Sequence, residues 1–227
     1  MSKYVNKTLK KRFEIWKAYF LSKSQSFIFD SFYGFYANEI ECESCKNKTQ
    51  LFQAITYLDF PVIKENGFIE SLEECFENYQ KVKPLEDNCS KCQKFGLIEH
   101  SILLELPPIL IINLKRVAEQ NAYFNEIEIP FRLDMEKLIK YIKNYSIYEL
   151  RGFIKHNGDE KSGHNYAFCK NMFDDKWYEY NDKKCSPIIN EPKLDKIFFL
   201  CYIKVGNDDE NIYYLNQIID LFKNTTK

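Results

Sequence analysis

The sequence predicts an α+β fold, on three observations. Helical periodicity is confined to three stretches, β-branched and aromatic runs fill most of the remainder, and two Cys-x-x-Cys pairs stand among the strand-like segments. A chain of 227 residues, 45% hydrophobic and 16% aromatic, has ample material for one large packed core. Its 32 basic and 33 acidic residues leave a net charge of -1, so no overall field draws it to nucleic acid or to an anionic membrane. Neither is expected as a partner. No stretch approaches the roughly 18 apolar residues of a membrane-spanning helix, and the basic N-terminus MSKYVNKTLKKRFEIW lacks the apolar run of a signal peptide. The expected compartment is the cytoplasm or nucleus, where the eight cysteines stay reduced or bind metal.

Taken in order, the first element is a helix, because Leu9, Phe13, Trp16 and Phe20 recur at helical intervals with Lys and Glu on the other face. Residues 26–35 (SFIFDSFYGF) change to aromatic and β-branched character, broken at Gly34, and strands follow to about residue 70. Ser71 with Glu74 makes a capping box that opens a second helix, with Leu72, Cys75, Phe76 and Tyr79 as its buried stripe. Cys75 is accordingly core. The apolar run 102–114 is split by Pro107-Pro108, which fits two buried strands joined at a corner. Residues 197–204 read as a closing strand. A polar break, 206–211, precedes a last amphipathic helix carrying Tyr214, Leu215, Ile218, Ile219 and Phe222.

The stretch 155–187 carries the chemistry. A glycine-flanked loop delivers His164, an apolar strand bears Tyr166 and Phe168, and a polar turn around Asp174-Asp175 leads to Trp177, Tyr178 and Tyr180. His164 and Asn181 lie equally far from the midpoint between Met172 and Phe173, so a hairpin folding there sets them opposite. An imidazole beside a side-chain amide is the base and orienter of a cysteine hydrolase. An ordinary hairpin with a satisfied, buried histidine is the other reading of the same residues.

Cys42 with Cys45, and Cys89 with Cys92, are both knuckles able to give one tight turn two thiolates. Together they suit tetrahedral, structural Zn2+, with unrelated thiols as the alternative. The remaining cysteines are tested as nucleophiles. Cys169 is an odd number of residues from His164 on one strand and so points to the opposite face. Cys201 sits in an apolar strand, which leaves Cys185 as the one geometrically conceivable candidate. The chain holds a base and an orienter without an evident nucleophile.

The order of these motifs resembles the ubiquitin-specific proteases. The matching residues are Trp16 with Tyr19, 26–34, the two knuckles, 106–110 with 114–116, Ile129-Pro130 with Leu133-Asp134, 156–158 with Gly163-His164, 177–182, and Leu200 with Tyr202. The resemblance spans roughly residues 13 to 204. It implies a papain-like cysteine protease core, the palm (106–204), with zinc-knuckle β fingers (26–105), the end of a thumb (1–25) and most of the thumb missing, followed by an appended segment (205–227). It implies deubiquitination, with ubiquitin or ubiquitinated proteins as partner. His164 becomes the general base, Asn181 its orienting residue and Asp182 a second polar residue at the active centre. Three positions depart from the family pattern. Asn165 follows His164 where tyrosine is usual, Val117 replaces phenylalanine, and Asn113 stands where histidine is common. No cysteine precedes Cys42, so the family's cysteine box has no counterpart. The expectation is a chain that supplies part of a catalytic triad and is inactive alone, or a ubiquitin-binding protein that does not cut.

Overall fold

The computed structural model describes residues 7–23, 26–118, 121–139, 147–158 and 162–205. The chain opens with α1 (Lys7–Leu21), which buries Leu9 and Phe13. Residues 26–35 do not form one extended stretch. Ser26 accepts the Phe29 N–H at 3.1 Å and caps a short helix, α2 (Phe27–Phe32), and Gly34 begins a strand instead of breaking one. A Cβ at Gly34 would stand 2.8 Å from the Glu105 carbonyl oxygen, so the close approach of two backbones requires glycine there.

The strands that follow are β1 (Gly34–Cys42), β2 (Lys48–Ile55), β3 (Leu58–Pro61), β4 (Ile63–Lys64) and β5 (Gly67–Phe68). Helix α3 (Leu72–Tyr79) comes next, with Ser71 accepting the Glu74 N–H at 3.1 Å. Glu74 reaches back to the Glu70 N–H at 2.9 Å, one residue beyond the reciprocal bond of an ideal capping box. Beyond it lie β6 (Lys83–Asn88), β7 (Phe95–Glu105), β8 (Ile109–Lys115), β9 (Val117–Ala118), β10 (Asn121–Ala122), β11 (Arg132–Asp134) and α4 (Met135–Leu138). The last third is β12 (Ile147–Gly158), β13 (Gly163–Lys170), β14 (Trp177–Asn181), β15 (Lys184–Pro187) and β16 (Ile197–Val205). The C-terminal helix expected from the sequence lies outside the described residues.

Two sheets organise these strands. The smaller, β2-β1-β7-β6, is antiparallel. The larger runs β15-β14-β13-β12-β16-β8-β3 with β11 on β12, and is antiparallel except where β3 pairs parallel with β8. The stretch 26–105 therefore supplies strands to both sheets. Pro107-Pro108 forms the corner between them: β7 ends in the smaller sheet, β8 begins in the larger, and the Tyr148 hydroxyl donates to the Pro107 carbonyl at 2.7 Å. The segment 197–205 lies inside the larger sheet, between β12 and β8, not at its edge.

One face of the larger sheet carries the core. Phe60, Ile112, Leu114, Leu200, Tyr202, Phe153 and Trp177 pack there with Leu72, Cys75 and Phe76 of α3. Burial pushes the Cys75 thiol up to about 12, which removes it from any nucleophilic role. A second cluster gathers Phe13 of α1, Phe29 of α2 and Phe35 of β1, with Trp16 and Phe20 packed against it. This joins the two helices to the smaller sheet. Among the described residues no helix is long and apolar enough to cross a membrane.

Candidate functional site

His164 and Asn181 meet, but not as the midpoint count predicted. Ala167 pairs with Tyr180, so Asn181 comes level with Tyr166, two residues along the strand from His164. The turn is closed by the Asn171 N–H to the Lys176 carbonyl at 2.8 Å, which moves the hairpin centre one residue toward the C-terminus. The two residues are diagonal neighbours on one face, and diagonal side chains still reach one another across an antiparallel pair. His164 Nε2 lies 2.7 Å from Asn181 Oδ1. The Asn181 amide nitrogen in turn donates to Glu179 Oε1 at 3.3 Å, which fixes the amide oxygen toward the imidazole. The Nε2–H therefore donates to Asn181, and Nδ1 keeps its lone pair. Among the described residues nothing hydrogen-bonds to that Nδ1.

Asp182 stands farther off, its Oδ2 3.9 Å from His164 Nε2, on a left-handed residue of φ 54° at the end of β14. With its side chain 79% exposed, it offers a solvated charge beside the imidazole, not a fixed hydrogen bond. The Tyr166 ring lies parallel to the imidazole with centroids 6.3 Å apart, on the same face.

The sequence reading missed a second imidazole and amide one step away. His156 pairs with Asn165 across β12 and β13, and His156 Nδ1 is 2.9 Å from Asn165 Oδ1. The same midpoint count, applied to the loop between Gly158 and Gly163, would have found it. The His156 ring covers Gly163, where an added Cβ would fall 2.1 Å from its Nε2. The backbone entering His164 thus runs beneath a side chain that leaves room only for glycine. Asn165, the departure from the usual tyrosine, hydrogen-bonds that ring, which also lies against Phe198 with centroids 5.3 Å apart.

None of the cysteines joins His164. Cys169 pairs with Gly152 and Tyr178, and Cys185 with Tyr180, which puts both on the face away from His164, Phe168 and Asn181. Cys201 also pairs with Gly152 and shares that outer face, and burial pushes its thiol up to about 11. Cys185 is thereby removed as the conceivable nucleophile.

The other four cysteines converge at the far end of the smaller sheet. All four sulfurs lie within 4.8 Å of one another, with Cys42 to Cys92 and Cys45 to Cys89 both at 3.7 Å. Sulfurs about 2.3 Å from a central zinc in a tetrahedron stand about 3.8 Å apart, so the set matches a tetrahedral thiolate site. Each knuckle turns through a left-handed residue, Lys46 and Gln93. The backbone N–H groups of Cys92 and Lys91 bring the Cys89 thiol down to about 7. Cys45 is favoured as a thiolate by the Asn47 N–H, yet burial and its three sulfur neighbours push it up to about 11. Four thiols this close ionise together only around a cation. The donor set fits the metal that the spacing implied.

The sequence matches the model of the ubiquitin carboxyl-terminal hydrolase family over residues 2–215. It is 23% identical over 204 residues to ubiquitin carboxyl-terminal hydrolase 2 of Gallus gallus, covering 86% of this chain and 57% of that protein. It is 31% identical over 176 residues to ubiquitin carboxyl-terminal hydrolase 13 of Saccharomyces cerevisiae, covering 70% of this chain and 23% of that one. The chain therefore spans less than two thirds of the length of these curated relatives. Among solved structures, a SAGA DUB module bound to monoubiquitin aligns with a TM-score of 0.68 and 26% identity, covering 81% of this chain and 43% of that one. A yeast SAGA DUB module aligns at 0.72 and 24% identity over 84% and 45%, which bears on the fold alone.

Proposed function

Because the chain belongs to the ubiquitin carboxyl-terminal hydrolase family, we propose that it forms the ubiquitin-recognising, base-supplying part of a cysteine deubiquitinase, with the nucleophilic thiol contributed from outside these residues. The observation that carries this reading is the 2.7 Å contact between His164 and Asn181, with Cys169, Cys185 and Cys201 on the opposite face of the sheet and Cys75 buried in the core. In this scheme His164 Nδ1 takes the proton of the incoming thiol, and the thiolate attacks the carbonyl of ubiquitin's C-terminal glycine. Nδ1–H then protonates the leaving lysine amine, and water releases ubiquitin from the thioester with the same nitrogen acting as base. Asn181 holds the ring and its tautomer without being ionised, and Asp182 supports the imidazolium from 3.9 Å.

The division into an end of thumb (1–25), fingers (26–105) and palm (106–204) belongs to the same proposal. Cys42, Cys45, Cys89 and Cys92 hold a structural Zn2+ that ties the tips of β1–β2 and β6–β7 together. The family membership and the complex of a related module with monoubiquitin support ubiquitin as the partner.

A second reading is a ubiquitin-binding protein that does not cut. The placement of the cysteines favours it as much as the first. Titrating the purified chain with ubiquitin while following a ubiquitin–fluorophore substrate tests what the two share: binding is expected, turnover is not. Turnover would show that the thiol lies within the chain, and absence of binding would remove ubiquitin as the partner. The two readings separate on the native protein, where covalent capture by a thiol-directed ubiquitin probe supports the first and inertness the second.

A further inference from the structure

An asparagine that orients a base faces a choice that an aspartate does not. Its carboxamide ends in an acceptor oxygen and a donor nitrogen of nearly the same size, and rotation about the last side-chain bond exchanges them. With the oxygen toward His164 Nε2, the ring keeps its proton there and Nδ1 can act as base. With the nitrogen toward it, Nε2 must accept, the proton moves to Nδ1, and the base is lost. A carboxylate presents oxygen in either position. Whatever selects the end of Asn181 therefore selects the nitrogen of His164 that takes a proton.

Glu179 is placed to make that selection. It stands two residues before Asn181 on β14, so the two side chains leave the strand on one face. Its Oε1 accepts from Asn181 Nδ2 at 3.3 Å, while Asn181 Oδ1 lies 2.7 Å from His164 Nε2. An ionised carboxylate only accepts, so it admits the amide nitrogen and repels the oxygen. The sheet sets its place from both sides, since Glu179 pairs with Phe168 on β13 and with Ser186 on β15. Phe168 is buried, and Trp177, the preceding residue of β14 on that face, packs against Phe153 in the core. The Glu179 charge reaches the neighbouring ring as well: burial pushes the Tyr166 hydroxyl up, and Glu179 and Asp195 add to the rise. Asp182, the other carboxylate close to the imidazole, has its Oδ2 3.9 Å from Nε2 and its side chain 79% exposed.

We propose that Glu179 is the positioning residue of the His164 and Asn181 pair: it fixes which end of the Asn181 amide meets the imidazole and so leaves Nδ1 as the basic nitrogen. The inference rests on His164 as the base, but the tautomer it assigns can be read in this chain whether or not ubiquitin binds.

The chain has three histidines, so long-range proton–nitrogen correlation spectra of the 15N-labelled protein can be assigned ring by ring, His164 by the loss of its signals in His164→Gln. His156, whose Nδ1 meets Asn165 across β12 and β13, is the internal reference. Spectra are taken at about pH 8, above the ordinary imidazole range, where the ring is neutral. The unaltered chain is expected to carry the His164 proton on Nε2. In Glu179→Lys the new ammonium, which only donates, draws the amide oxygen to itself, and the proton is expected on Nδ1. Adding Asn181→Asp to that variant is expected to return the proton to Nε2, because both ends of residue 181 are then oxygen; a mere distortion of β14 would not be repaired this way. Glu179→Leu, which neither accepts nor donates, is expected to raise the share of the Nδ1–H form. Retention of the proton on Nε2 in Glu179→Lys, or on Nδ1 in the double variant, overturns the proposal. So does a Glu179→Leu spectrum identical to that of the unaltered chain, even if Glu179→Lys fails to fold.

Discussion

Arg116 is 2% exposed and gives its guanidinium to three backbone carbonyls: Ile197 at 2.5 Å, Tyr123 at 3.0 Å and Asn125 at 2.9 Å. It thereby ties the start of β16 to the segment after β10. Replacing it by methionine keeps the apolar stem but strands three carbonyls, so Arg116→Met should cost about 3–5 kcal/mol in urea unfolding. Gly163 sets a second test. Gly163→Ala drives a methyl into the His156 ring and should destabilise by about 1–3 kcal/mol, while the double variant Gly163→Ala/His156→Ala recovers most of that loss. A double variant no more stable than Gly163→Ala would show that the clash lies with the backbone and not with the ring. At this scale the sequence was readable where chemistry needs particular side chains. His164 and Asn181 were singled out correctly as neighbours, but their register was off by two. Register follows the turn, and the left-handed Asp175 within it, at φ 54°, leaves no trace in the apolar alternation used to count.

The knuckles show what an element can reveal by itself. Two residues between cysteines are a local constraint, so the grouping of Cys42, Cys45, Cys89 and Cys92 followed from spacing and reappears with all four sulfurs within 4.8 Å. Native mass spectrometry should find one zinc per chain, and Cys45→Ser should lose it. Metal removal should raise amide exchange at the β1–β2 and β6–β7 ends and leave β12 and β16 protected; uniform deprotection of both sheets would show that the metal stabilises the whole chain. The cap of α3 offers a smaller measure: Ser71→Ala should cost about 1 kcal/mol. Helix α2 was not legible, for a physical reason. Six residues carry less than two turns of periodicity, and the aromatic sequence FIFDSF favours strands on composition, so only the bond from the Phe29 N–H to Ser26 reveals a helix.

For the molecule as a whole, the order of elements could be read and their partition could not. Strand β3 joins the larger sheet beside β8, far along the chain, and no local pattern encodes that parallel pairing. The first two helices expose large apolar side chains, with Ile15 64%, Tyr19 62% and Ile28 57% exposed. Ile15→Glu with Ile28→Glu should reduce self-association of the isolated chain in light scattering at unchanged melting temperature. Equal scattering would place the adhesive surface elsewhere. The proline corner has a mechanical meaning of its own. From Phe95 to Lys115 a single rod of backbone, bent once and braced there by Tyr148, runs from the tip that bears the cysteine cluster to the strand next to the edge of the large sheet, with no slack loop between. A body seated against the tip would press on a bell crank whose short arm is β8, and the load would arrive as a tilt of the floor on which the histidine stands.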